Sequence, residues 1–140
     1  MNAIRRWTAI FAVLVCPLLM SCGDSASPFR APVPGTLVVF LEASGTPAGA
    51  VLVVVHGKQI GVPVGVHGGG TVFARAVDTD AGQWQVAVVG SEVTGKLFSF
   101  DVPDVNRPEA YSAELIQVAD RADNLLPDIA GYRVSIQPKR

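Results

Sequence analysis

Two thiols, Cys16 and Cys22, are the most reactive side chains in this 140-residue sequence, and both lie near its start. No cysteine follows Cys22, so the chain beyond it can form no disulfide, thiolate metal site or Cys nucleophile. Two histidines, His56 and His67, stand apart with glycines between them. Their spacing matches neither the HxH nor the HxxxH pattern that brings two imidazoles to one metal. Asp78-x-Asp80-x-Gly82 is the nearest approach to a calcium loop. A loop of that kind needs an Asp or Asn fifth, a Gly sixth and a Glu twelfth, where this chain has Gly82, Gln83 and Val89. A solvated turn is the expectation there. Ser91 has no Gly-x-Ser-x-Gly elbow around it and reads as a turn residue. Asp101 and Asp104 are paired carboxylates of the kind that could flank a glycosidic bond. They bracket Pro103 at a strand end, where acidic residues serve as turn formers. Gly68-Gly69-Gly70 lacks the Lys and Ser or Thr of a phosphate loop. The expectation is therefore no catalytic residue, no metal and no cofactor: the chain is not read as an enzyme. Trp84, Tyr111 and Tyr132 are the aromatic residues that could stack on a sugar ring. Trp84 alternates with Val86 and Val88, and Tyr132 with Val134 and Ile136, so both are expected in the core. Tyr111, at a strand start, is the least constrained.

The elements that would position these residues are strands. Thr36–Glu42 is a short β run closed by Ser44-Gly45-Thr46-Pro47. Ala50–His56 is almost continuously apolar and predicts a central strand buried on both faces. Gln59–Val66, interrupted by Gly61, Pro63 and Gly65, predicts an edge strand or loop. Thr71–Val77, Gln83–Val89 and Lys96–Val102 follow, the last two with clean alternation. Tyr111–Ala119 permits a helix, but its Tyr, Ile and Val favour a strand. Asp120–Ala130 reads as a polar loop with room for a helical turn around Leu125, and Gly131–Gln137 closes the domain. Seven to nine short strands between Gly, Pro and Asp turns predict an all-β fold, a single β-sandwich over residues 35–138.

The first two dozen residues have a different character. Arg5 and Arg6 precede an apolar run from Trp7 to Met20, and then come Ser21, Cys22 and polar residues. The run is broken by Pro17, and at about 1.5 Å per residue it covers roughly 21 Å, too short for a bilayer core of about 30 Å. This order is that of a secretory signal. Leu19-Met20-Ser21-Cys22 resembles the lipobox of bacterial lipoproteins. The resemblance implies a signal peptide over residues 1–21, cleavage between Ser21 and Cys22, and acyl chains on Cys22 that hold the protein to the membrane. Residues 22–34, rich in Ser and Pro, then read as an extended tether. The implied location is the bacterial cell envelope, lipid-anchored at the outer membrane, periplasmic side or cell surface.

Without residues 1–21 the chain keeps nine basic residues against twelve acidic ones. That balance offers no basic patch for nucleic acid. Thr94-Gly95-Lys96-Leu97-Phe98-Ser99-Phe100-Asp101-Val102, the Gly-turn strand pair Gly35–Gly57 and the closing Gly131–Ile136 together resemble the cohesin and carbohydrate-binding class of β-sandwich modules. That resemblance implies an Ig-like or cohesin-like sandwich that binds a protein or glycan without catalysis. No ligand-binding residue is assigned by it. Two functions follow as expectations. The first is a membrane-anchored module for an envelope protein or polysaccharide. The second is a structural lipoprotein subunit packed into a larger envelope assembly. A concave aromatic face would mark the glycan case, and a large exposed apolar patch the packed subunit.

Overall fold

A computed structural model of the protein describes residues 30–139. Eight strands follow one another: β1 (Gly35–Ala43), β2 (Ala48–His56), β3 (Val64–Gly65), β4 (Thr71–Asp78), β5 (Gln83–Val93), β6 (Gly95–Val102), β7 (Ser112–Ala119) and β8 (Tyr132–Pro138). They form two four-stranded sheets, β3-β6-β1-β8 and β4-β5-β2-β7, with every pairing antiparallel. The fold is the expected β-sandwich, within the expected range of strand number. Only the β4–β5 hairpin stays in one sheet, and every other connection passes between sheets.

Alternation builds the core. Leu37, Val39 and Leu41 of β1 and Phe98, Phe100 and Val102 of β6 point inward from one sheet. Val51, Val53 and Val55 of β2 and Val86 and Val88 of β5 meet them from the other. A bulge adds to this set. Val39 pairs with Phe98 but Phe40 pairs with Lys96, so Leu97 is an extra residue in β6, and both Leu97 and Phe98 are buried.

Several local expectations change. β2 is central, lying between β5 and β7, but it is not buried on both faces: Val51, Val53 and Val55 are buried while Leu52 and Val54 are half-exposed. Among the described residues no layer covers its outer face. Ser91 is not in a turn. It lies in a bulged stretch of β5, where pairing steps from Ala48↔Val93 to Ala50↔Val89. Leu125 is not in a helical turn but bridges Ala119, while a single 3₁₀ turn forms at Pro108–Ala110, where Pro at the first position supplies the helical φ.

Strand directions set the two ends of the sandwich. Gly35, His56, Gln83, Val102, Ser112 and Pro138 lie at one end, where the first strand starts and the last one finishes. The last residues of the expected tether are fastened to the domain. Val33 N–H donates to Asp104 Oδ1 at 3.2 Å, and Val105 N–H donates to the Val33 carbonyl at 2.9 Å.

Candidate interaction surface

Ser21 and Cys22, the expected cleavage and lipidation residues, lie outside the described residues, as do the expected signal segment and residues 22–29 of the tether. Among the described residues, no helix is long and apolar enough to cross a membrane.

The sequence candidates for chemistry are held by structural duties. The Asp78 carboxylate accepts the backbone N–H groups of Asp80 and Ala81, both at 2.9 Å, which makes it the organiser of the β4–β5 turn. Gly82 completes that turn at φ 64°, and the backbone of Gly57 and Lys58 leaves no room for a side chain there. Asp101 accepts the Thr36 hydroxyl across the β1–β6 pair at 2.7 Å. Asp104 accepts from Val33 N–H and from Asn106 N–H, and these backbone donors hold its carboxyl below the usual range. Asp120 is lowered in the same way, first by the Asn124 backbone N–H and then by the Asn124 side chain, with Ala122 N–H also bound. His56 ends β2, paired between Gln83 and Ser112, and His67 lies in the loop before β4. Among the described residues no three His, Cys, Asp or Glu side chains gather as metal ligands would.

The aromatic candidates do not form a sugar platform. Tyr111 is 9% exposed and tilts against Phe100, with ring centroids 6.2 Å apart. The freedom expected of it is absent because the loop after β6 folds its ring into the end of the core. That burial raises its phenol pKa. Trp84 packs against the core from β5. Tyr132 also packs there and spends its hydroxyl on the Thr46 carbonyl at 2.6 Å.

A different feature stands out on the outside of the β4-β5-β2-β7 sheet. Pairing registers place its outward side chains in rows across the four strands. One row reads Phe73, Ala87, Leu52, Gln117. The row above it reads Thr71, Val89, Ala50, Ala119. Phe73 is 61% exposed and Val89 44%, and Leu52, Val54 and Ala87 are half-exposed. Ile116, an extra residue at a bulge in β7, extends the patch at 39% exposure. Charge is confined to the margins, with Arg75 on β4 bound to Gln85 Oε1 and Glu114 on β7. Such a surface has nothing to polarise a bond. It can exclude water against another apolar surface.

No family model, curated protein or solved structure matches this chain.

Sequence reasoning named none of these surface residues as a site. The signal was present in β2: an unbroken apolar run was explained by burial on both sides. A strand with one face on the core and the other on a partner has the same composition.

Proposed function

We propose that this chain is an exported, lipid-anchored, non-catalytic module that engages a protein through the outer face of the β4-β5-β2-β7 sheet. The anchor would be Cys22, and the segment up to Pro32 would be the tether. One observation carries the reading: an apolar surface with Phe73 and Val89 exposed and Leu52 and Ala87 half-exposed lies on the outer face of the sheet and is bordered by charge. Surfaces of this kind mark protein contacts rather than free solvent faces. Of the partners expected from the sequence, a protein is favoured over a polysaccharide. Tyr111 is buried, Trp84 packs on the core and the Tyr132 hydroxyl is bound within the domain, so three aromatic residues are withdrawn from sugar stacking. The apolar face also fits the second expectation, a subunit that packs into an envelope assembly.

Two variants of the full-length chain test the two halves of the proposal. Cys22→Ala should move the protein from the membrane fraction to the soluble fraction and abolish labelling by a fatty-acid analogue. Continued sedimentation with membranes would refute the anchor. Ala87→Glu puts a charge in the middle of the apolar face, and it should eliminate the cross-linked species that the unaltered protein forms in intact cells. Unchanged cross-linking would refute the docking face.

A further inference from the structure

We propose that the occupant of this face is a second copy of the same chain, packed sheet on sheet about a twofold axis parallel to the strands and running between β5 and β2. The inference rests on reading the face as a protein-docking surface. An axis of this kind keeps every row at its own level and exchanges left for right. β4 of one copy then lies over β7 of the other, and β5 lies over β2. The same patch serves both copies, as an isologous contact requires.

Each row meets itself reversed, and the central pairs of two rows are complementary in size when reversed. In the row Phe73, Ala87, Leu52, Gln117, the Leu52 of each copy faces Ala87 of the other. In the row Thr71, Val89, Ala50, Ala119, each Val89 faces Ala50. Large meets small at the centre of both rows, where two sheet faces interdigitate at their normal spacing of about 10 Å, while at the edges Phe73 comes over Gln117 and Thr71 over Ala119. The next row, Arg75, Gln85, Val54, Glu114, carries opposite charges at its two ends. Reversal brings each Arg75 over Glu114 of the other copy, forming two ion pairs by symmetry.

The size is sufficient. Four strands about 4.8 Å apart, with eight residues at about 3.3 Å each, give roughly 500 Å2 of flat area per copy. Two copies bury on the order of 1,000 Å2, the threshold for a specific interface.

The direction of the axis is also selected. A twofold perpendicular to the strands lays each strand over its own copy, so Arg75 of β4 cannot meet Glu114 of β7 and the charge match is lost. It would also send the two N-termini to opposite ends of the dimer. The parallel axis keeps both N-termini at one end, because β1 of each copy starts there. Two chains tethered through Cys22 would then enter the same membrane.

Sedimentation of the full-length protein in detergent tests the proposal. The unaltered chain should be a dimer. Arg75→Glu alone and Glu114→Arg alone should each raise the dimer Kd roughly tenfold or more, because like charges then face each other across the contact. The double variant Arg75→Glu/Glu114→Arg should return the Kd to within about threefold of the original, since the pair is restored with its polarity reversed. Both side chains are exposed, and a thermal melt checks that each variant is folded. A monomer at about 100 µM would overturn the proposal, as would a dimer indifferent to the single changes or a double variant no better than the singles. If the chain is monomeric and Ala87→Glu still eliminates cross-linking in cells, the docking face stands and its occupant is another protein. If cross-linking also persists, both readings fail.

Discussion

Val53 and Val54 are adjacent, identical in chemistry and central in β2, yet the fold gives them opposite environments. Val53 is 0% exposed between the sheets, and Val54 is half-exposed on the outer face. Truncating either to Ala removes two methyl groups. At Val53 the lost transfer free energy is about 1.6 kcal/mol, at about 0.8 kcal/mol per buried carbon. A cavity on the order of 50 Å3 adds about 1 kcal/mol at about 24 cal/mol per Å3. Val53→Ala should therefore destabilise the fold by about 2–3 kcal/mol. At Val54 about half the transfer term applies and no closed cavity forms, so the loss should stay below about 1 kcal/mol. The lower strand propensity of Ala is common to both and cancels in the comparison. For a domain near 100 residues, about 4–8 °C of Tm accompanies each kcal/mol, so the two melting curves should separate by roughly 10 °C. Far-ultraviolet circular dichroism of the full-length chain measures this, repeated over a range of protein concentrations. Equal losses at the two positions would refute the reasoning, because the outer face would then be packed as deeply as the core within a single chain. A loss at Val54 that grows with protein concentration would instead place that side chain in the contact between copies.

Gly82 combines a φ of 64° with a Cβ position blocked by the Gly57 carbonyl oxygen, so Gly82→Ala should cost at least about 2 kcal/mol in chemical denaturation. Gly95 has a similar φ of 68° with open space around it, and its Ala variant should lose distinctly less in the same assay. Asp104 and Asp120 have carboxyl groups held below the ordinary range by backbone donors, so their contribution to stability is full above the unfolded-state value of about 3.9 and disappears as pH falls through the folded-state values. Melting temperature should accordingly drop below about pH 4, and Asp104→Asn should flatten that drop; an unchanged acid profile in the variant would count against the role of Asp104.

Much of the architecture is legible because alternation is a local property. Trp84, Val86 and Val88 share a face wherever β5 is placed, and the same holds for Phe98, Phe100 and Val102 in β6. The Asp78 turn is equally local, since its carboxylate binds N–H groups two and three residues away. Legibility ends where a residue's role depends on partners far along the chain. Leu97 becomes core only because a bulge in β6 opposite β1 adds it to the inward set. Tyr111 is captured by Phe100 from the preceding strand and loses the freedom its position suggested. Ser91 joins β5 because Ala48 pairs with Val93 beyond it.

The candidate surface shows the division most clearly. Composition and periodicity by themselves determined an all-β sandwich with no cysteine after Cys22 to staple it. They also required β2 to be apolar on both faces. That the second face stays half-exposed was decided by the tertiary structure alone. Sheet order left β2 without a covering layer among the described residues, and strand register set Ala87 beside Leu52 and put Arg75 and Glu114 at the two ends of one row. Strand composition is a sum over neighbours, whereas a docking face is a geometry of residues brought together from four separate strands. Only pairing between strands distant in sequence creates it.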